Sequence, residues 1–101
     1  MKIPKQLKVG GHIYKVNKSY KFKERSDRIG YSDRLLLQIN ITPFDGTGFH
    51  LKKSKVEEAF FHELLHCVDD IYNAGKLGED ATERLSNGLY QVLKDNNLLR
   101  K

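Results

Sequence analysis

Two histidines and a glutamate in this chain have the types and the spacing that bind a metal ion and activate water. They are His62, Glu63 and His66, within the sequence His-Glu-Leu-Leu-His. Residues four apart lie on one face of a helix, so the two histidines can hold one Zn²⁺ between them. Glu63 is rotated only slightly from that face and can act as general base on a water bound to the metal. Two histidines on an ordinary core helix would need other buried partners, so we interpret the motif as a zinc site.

A third zinc ligand must come from elsewhere, because a hydrolytic site usually takes three protein ligands and leaves one position for water. Glu79 and Glu83 follow the motif and would share one face of a second helix, so one can bind the metal while the other supports a ligand histidine. Asp80 and Glu83 also have the spacing of a capping box, which would occupy Glu83 and leave Glu79 outside the helix. The candidates left open are, in order of preference, Glu79, Glu83, and then Asp80, His50 and His12.

Other reactive side chains near the motif are interpreted as structural. Cys67 points about 100° away from His66 around a helix and is expected to be a small core thiol. Asp69 and Asp70 are interpreted as exposed helical acids, with a hydrogen bond to a ligand histidine as the alternative. The side chains that could polarise a scissile carbonyl, among which the sequence does not select, are Tyr72, Tyr90, His12 and His50.

The composition suits a soluble globular protein. The chain has 101 residues, of which 39% are hydrophobic and 31% charged, which predicts a single domain over residues 1–101. No apolar run approaches the ~20 residues that a membrane span needs, and no apolar segment of a secretory signal follows the N-terminus. The single cysteine cannot form an internal disulfide, so we expect a cytoplasmic protein.

The net charge of +5 is unevenly distributed. Residues 1–50 carry ten Lys and Arg against four acids, and residues 51–101 carry eight against nine. A basic half can bind nucleic acid or an acidic partner. We favour the simpler explanation of a solvated, lysine-rich sheet surface, because the sequence contains no specific nucleic-acid-binding motif.

The first half of the chain predicts two strands joined by a hairpin. Apolar and polar residues alternate before Gly10 and Gly11, and again after them as far as Phe22, with a break near Lys18. The two glycines indicate a tight turn of the primed type between the strands. A polar loop is predicted for residues 24–30.

A third strand is predicted for residues 35–41, where leucine and isoleucine recur at every second position. Pro43 and the glycine-containing residues 45–48 end it. If this strand lies at the edge of the sheet, it can hold an extended peptide by strand addition.

Two helices are predicted for the second half. Ser54 and Glu57 have capping-box spacing, and a helix from there to about Tyr72 contains the histidine motif. A second helix is predicted from Glu79 or Asp80 to about residue 95. Its apolar packing stripe is expected to consist of Leu85, Leu89, Val92 and Leu93. Strands followed by helices indicate an α+β fold.

The chain resembles the small, single-domain zinc metallopeptidases of the ImmA/IrrE-like and SprT-like zincin group, especially the compact versions found in phages and prophages. The resemblance covers most of the chain. It rests on the sequences IPK (3–5), VGG (9–11), FHELLH (61–66) and ERLSNGL (83–89), the last running on to LKDN (93–96).

This resemblance implies a minimal zincin fold, in which a small antiparallel sheet of about three strands packs on an active-site helix and a second helix brings a glutamate. By analogy with gluzincin-type sites it favours Glu79 as zinc ligand and Glu83 as the acid that supports a ligand histidine. Relatives of the ImmA/IrrE type act on regulators of mobile elements. SprT-like relatives act on DNA-bound proteins and usually bring a third histidine, and no histidine follows His66 here.

The expected function is therefore a zinc-dependent peptidase with Glu63 as general base and a protein or peptide as substrate. A membrane partner is not expected, and nucleic acid is not favoured. The alternative is a zincin-fold binding or regulatory module of a phage or mobile element, with little activity and structural zinc. Glu63 argues against this alternative, because a purely structural site has no use for a base.

Overall fold

Strands occupy the N-terminal half of the protein and two helices occupy the C-terminal half. The computed structural model describes residues 1–19, 29–44 and 48–99. The elements are β1 (Gln6–Val9), β2 (His12–Asn17), β3 (Gly30–Asp33), β4 (Gln38–Ile41), α1 (Lys53–Tyr72) and α2 (Gly78–Asp95). The predicted α+β fold is confirmed.

The sheet has four strands in the order β1-β2-β4-β3. The pairs β1–β2 and β3–β4 are antiparallel, but β2 and β4 run parallel. The prediction of an antiparallel sheet of about three strands is therefore wrong in strand number and in direction. Alternating apolar residues indicate where strands form, but they carry no information about the order in which strands pair.

The strand that the sequence did not reveal is β3, with the sequence Gly-Tyr-Ser-Asp. Its first residue, Gly30, was assigned to a polar loop. Gly30 and Ser32 lie on the side of β3 that meets the carboxylate of Glu63 on α1. Because this side contacts a polar group, β3 has no apolar alternation to signal a strand.

The predicted hairpin between β1 and β2 is confirmed. Val9 pairs with His12 across a two-residue turn, in which Gly10 and Gly11 have φ angles of 61° and 83°. Positive φ at both turn positions is the signature of the primed turn that matches strand twist. Gly10 also passes close to α1, since a Cβ there would lie 2.6 Å from a methyl carbon of Ile71.

The third predicted strand is shorter than expected, because its first part is a turn. The Asp33 carboxylate accepts hydrogen bonds from the backbone N–H groups of Leu35 and Leu36, at 3.0 and 2.9 Å. This local bonding competes with strand pairing, and Leu35 is 91% exposed. β4 lies between β2 and β3, so it is not an edge strand, and the condition for adding a peptide to residues 35–41 is not met.

Three sequence predictions fall partly or wholly outside the described residues. The continuation of the second strand through Tyr20 and Phe22 lies there, as do most of the loop at residues 24–30 and most of the turn at residues 45–48.

Both helices agree with the predicted boundaries to within two residues, but neither begins with a capping box. The N-cap residues are Lys52 and Leu77, and neither makes a side-chain capping hydrogen bond. Ser54 and Asp80 lie inside the first turns. Asp80 and Glu79 there still suit the positive end of the α2 dipole.

The packing face of α2 differs from the predicted stripe. Leu85, Leu89 and Val92 are 53%, 46% and 48% exposed, whereas Thr82 and Ser86 are fully buried. The two hydroxyls donate to carbonyls of their own helix, Thr82 to Gly78 O at 2.7 Å and Ser86 to Glu83 O at 3.1 Å. Their burial therefore leaves no polar group unpaired.

The small buried side chains of α2 determine which face turns toward α1. Tyr90 and the partly buried Leu93 continue the face that begins with Thr82 and Ser86. Glu79 precedes Thr82 by three residues, so it lies on the same side of the helix. The orientation of α2 that buries this face therefore also brings Glu79 toward α1.

The hydrophobic core lies between the sheet and α1, with Tyr90 contributed by α2. The aromatic rings of Phe61 and Tyr90 are 5.6 Å apart between centroids. The buried apolar residues are Ile3, Val9, Tyr14, Val16, Ile39, Ile41, Phe60, Phe61, Cys67 and Tyr90. Among the described residues, neither helix combines the length and apolar character of a membrane span.

Candidate metal centre

Three side chains from two helices converge on one point. Oε1 of Glu79 lies 2.8 Å from Nε2 of His62, and Oε2 lies 2.9 Å from Nε2 of His66. The two histidine Nε2 atoms are 3.0 Å apart. Among the described residues, these three form the one cluster of potential ligand groups that could hold a metal ion.

The donor set fits zinc. Bonds from zinc to imidazole nitrogen and carboxylate oxygen are about 2.0–2.2 Å long, so ligand atoms of a tetrahedral site lie roughly 3.3 Å apart. The observed separations are close to that value. The two Nε2 atoms face each other, and each also faces an oxygen of Glu79. If the two rings share one hydrogen bond, the Nε2 atom that accepts it has no hydrogen to donate to the Glu79 oxygen beside it. A cation between them would accept the lone pairs of both.

The two helices and their connection bring the three ligand side chains together. His62 and His66 are one turn apart on α1, and their ring centroids are 4.7 Å apart. Glu79 comes from the first turn of α2, and a short connection between the helices brings that turn beside the histidines. His62 and His66 are partly buried, whereas the Glu79 side chain is 67% exposed. The site is therefore accessible from one side.

Glu63 lies beside the cluster, in the angle between α1 and β3. The residue is only 7% exposed, and burial raises the pKa of its carboxyl group above the usual range. Electrostatic interactions with His62 and His66 and a hydrogen bond with Ser32 lower this pKa, whereas the Glu79 carboxylate raises it. A carboxylate with raised proton affinity, held next to a metal site, is suited to the role of general base.

A cleft of about 710 Å³ opens over these residues. One wall is β3 and the other consists of α1 and α2 as far as Asn87. Glu83 and Asp70 line this cleft together with Glu63 and Glu79, but they are not part of the three-residue cluster. The remaining lining residues are Ile29, Gly30, Tyr31, Ser32, Lys55, Glu58, Ala59, His62, His66 and Asn87.

The other third-ligand candidates are not part of the cluster. Asp80, His50 and His12 are absent from the group of potential ligands found among the described residues. The ring of His50 instead packs against Phe44, with centroids 4.5 Å apart. The sequence left the choice among these acids and histidines open, and the orientation of α2 brings Glu79 to the histidines.

Cys67 is a buried free thiol, as expected for a core residue. Burial raises its pKa to about 11. Tyr72 and Tyr90 are engaged away from the cluster. The Tyr72 hydroxyl accepts a hydrogen bond from the N–H of Gly10 at 3.0 Å, and the Tyr90 hydroxyl donates to Glu57 at 2.6 Å.

Sequence reasoning misjudged two acids and missed two residues near the site. The interpretation of Asp69 as an exposed helical acid is wrong, because it is only 4% exposed. Its carboxylate accepts hydrogen bonds from Asn73 and Leu77. Asp70, also interpreted as an exposed helical acid, is only partly exposed and lines the cleft. Gly30 and Ser32, which contact Glu63, were missed because nothing in the sequence marks β3 as a strand.

In comparisons with protein-family models, curated proteins and solved structures, nothing matches this chain.

Proposed function

We propose that the protein is a zinc-dependent metallopeptidase built on a minimal zincin-like fold with a gluzincin-type site. The observation that carries this proposal is the convergence of His62, His66 and Glu79 beside the buried carboxylate of Glu63, within one cleft. Three ligands that leave a coordination position free are typical of catalytic zinc, whereas structural sites are closed by four.

The roles of the side chains follow from their positions. His62, His66 and Glu79 would hold the ion, which when bound would polarise a scissile carbonyl and lower the pKa of a water molecule toward ~7. Glu63 would take a proton from the attacking water and donate it to the leaving amine. Glu63 lines the cleft although it is only 7% exposed, so its carboxylate can face a water molecule bound there.

The peptide would lie along β3. In the part of the chain that the structure describes, β3 is an outer strand of the sheet and lines the cleft, whereas β4 is internal. An extended peptide added to β3 would gain main-chain hydrogen bonds and would pass directly beside Glu63. We therefore propose that Gly30–Asp33, and not residues 35–41, is the strand that binds the peptide.

The proposal is tested first by the metal content. Protein purified without chelator or added metal is expected to contain about one zinc per chain by elemental analysis. A value near zero that added zinc does not restore would refute the zinc site and the peptidase with it.

Catalysis is then tested with Glu63→Gln, using a library of proteome-derived peptides analysed by mass spectrometry. This variant should retain zinc and the fold but lose cleavage, because the amide cannot accept the proton. The matched control is Glu58→Gln, which changes another carboxylate of the same cleft and should retain cleavage. Cleavage by Glu63→Gln at the wild-type rate would refute the role of Glu63 as general base.

One observation favours a second function, that of a binding or regulatory module. Leu85, Leu89 and Val92 form an apolar stripe on α2 and are 53%, 46% and 48% exposed, and a contiguous exposed apolar stripe is a surface that a partner can cover. Zinc binding without cleavage of any peptide would favour this module. The cytoplasmic location and the connection with phages or prophages, which rest on the sequence and its resemblance, stay predictions.

A further inference from the structure

Asp69 is the buried group that connects the two helices bearing the metal ligands. It lies three residues after His66 on α1 and is 4% exposed. Its Oδ1 atom accepts hydrogen bonds from the side chain of Asn73 at 2.8 Å and from the backbone N–H of Leu77 at 3.2 Å. Its backbone carbonyl accepts two more, from the N–H groups of Asn73 and Gly75, both at 2.9 Å. One residue therefore fixes both ends of the connection between α1 and α2.

The bond to Leu77 fixes the place where α2 begins. Leu77 is the N-cap residue of α2 and makes no side-chain cap of its own. The first N–H groups of a helix have no partner within the helix, and here one of them is satisfied by a carboxylate from the neighbouring helix. This hydrogen bond holds the first turn of α2 against α1.

Glu79 depends on this anchor. It follows Leu77 by two residues, and its side chain is 67% exposed, so few packing contacts restrain it. The position of its backbone therefore decides whether its carboxylate reaches His62 and His66, at the observed 2.8 and 2.9 Å.

We infer that Asp69 is a positioning residue for the metal centre: its hydrogen bond to Leu77 sets the distance between Glu79 and the two histidines. The inference rests on the proposed function only in requiring that zinc binds at this cluster. It assigns to Asp69 neither contact with the metal nor any part in proton transfer. According to this inference, the metal centre needs the hydrogen-bond acceptor atom of Asp69 and does not need its negative charge.

The test compares Asp69→Ala with Asp69→Asn. Alanine removes the acceptor, while asparagine keeps an oxygen at the same position. Zinc affinity is measured by competition with a chromophoric chelator, and the visible absorption spectrum of the Co²⁺-loaded protein reports the coordination geometry. Asp69→Ala is expected to lose about 10–100-fold in zinc affinity, the usual effect of removing a group that orients a ligand. Asp69→Asn is expected to stay close to the wild type.

Tyr90→Phe controls for a general loss of stability. It removes a buried hydrogen bond between the two helices, from Tyr90 to Glu57, but at a distance along α2 from the metal cluster. It should lower the thermal midpoint and leave the zinc affinity and the Co²⁺ spectrum unchanged.

A second pair of variants alters the donor instead of the acceptor. Leu77→Pro removes the N–H group, and the φ angle of Leu77, −67°, is close to the value that the proline ring imposes. Leu77→Ala removes most of the side chain but keeps the N–H. We expect Leu77→Pro to weaken zinc binding as Asp69→Ala does, and Leu77→Ala to have little effect. This pair decides the question if Asp69→Ala does not fold.

Three results would overturn the inference while leaving the peptidase intact. They are wild-type zinc affinity in Asp69→Ala or Leu77→Pro, an equal loss in Asp69→Asn, and an equal loss in Tyr90→Phe. A wild-type protein that binds no zinc would instead overturn the proposed function and this inference together.

Discussion

Gly30 lies so close to Glu63 that a Cβ atom at Gly30 would fall 2.9 Å from both Cγ and Oε2 of the glutamate. Separations under about 3.0 Å are not tolerated without movement of one partner, because repulsion rises steeply there. Glu63 packs against β3 on one side and lines the cleft on the other, so a Cβ at Gly30 would push its side chain out of its observed position. The lack of a side chain at Gly30 therefore helps to determine the position of Glu63, the proposed base.

Gly30→Ala should accordingly displace Glu63 and impair catalysis. A displacement of about 1 Å at a reacting group can cost on the order of 100-fold in rate, so we expect kcat to fall roughly 10- to 100-fold. The zinc content should remain at the wild-type level, because His62, His66 and Glu79 are untouched. Steady-state kinetics on a cleaved peptide, combined with elemental analysis, provides the measurement.

The matched control for this change is Gly88→Ala on α2. A Cβ at Gly88 would meet no atom within 4 Å, and alanine stabilises a helix interior by about 1 kcal/mol relative to glycine. This variant should retain full kcat and show a slightly higher thermal midpoint. Unchanged kcat in Gly30→Ala would show that the contact with Glu63 does not determine its catalytic position.

The zinc affinities of alanine variants should distinguish the roles of Glu79 and Glu83. Removing a group that merely orients a ligand costs ~10–100-fold, so loss of a ligand itself is expected to cost at least about 100-fold in Glu79→Ala. Glu83 lines the cleft outside the cluster, so Glu83→Ala should lose less than about 10-fold. Zinc dissociation constants from chelator competition test this order. The reverse order would exchange the two assignments.

The parts of the molecule that the sequence predicted correctly are those specified by local spacing. His62 and His66 are one helical turn apart, so their alignment needs only the helix. Gly10 and Gly11 specify their turn because other residues avoid positive φ. The two helices agree closely with their predicted ranges because helical periodicity is also a local pattern, although neither predicted capping box forms.

The parts that the sequence did not predict depend on tertiary packing. The order and direction of the strands are decided by contacts between distant segments. The burial of Thr82 and Ser86 decides which face of α2 packs against α1. Because both residues are polar, a pattern of apolar residues does not reveal this face. Asp69 resembles any exposed helical acid until the connection between the helices folds over it.

Cys67 should be unreactive in the folded protein. Burial raises its pKa to about 11, and the thiolate is the nucleophilic form. Labelling by a thiol reagent at pH 8 should therefore be slow in the native state and fast in denaturant, where the thiol pKa returns to about 8.5. The native rate should rise only as the pH approaches the raised pKa. Cys67→Ala should keep the wild-type zinc content, and loss of zinc in that variant would identify the thiol as a ligand.

Chelation should destabilise the protein, because a zinc ion held by His62, His66 and Glu79 would link α1 to α2. A ligand present at about 1,000 times its dissociation constant stabilises the folded state by ~4 kcal/mol. In a domain of this size each kcal/mol corresponds to about 4–8 °C, so we expect the thermal midpoint to fall by more than about 10 °C on addition of chelator. Differential scanning calorimetry measures the change. Glu79→Ala should show a smaller change, because its zinc is bound by α1 alone and no longer joins the helices. Equal changes in both proteins would mean that Glu79 does not contribute to the link.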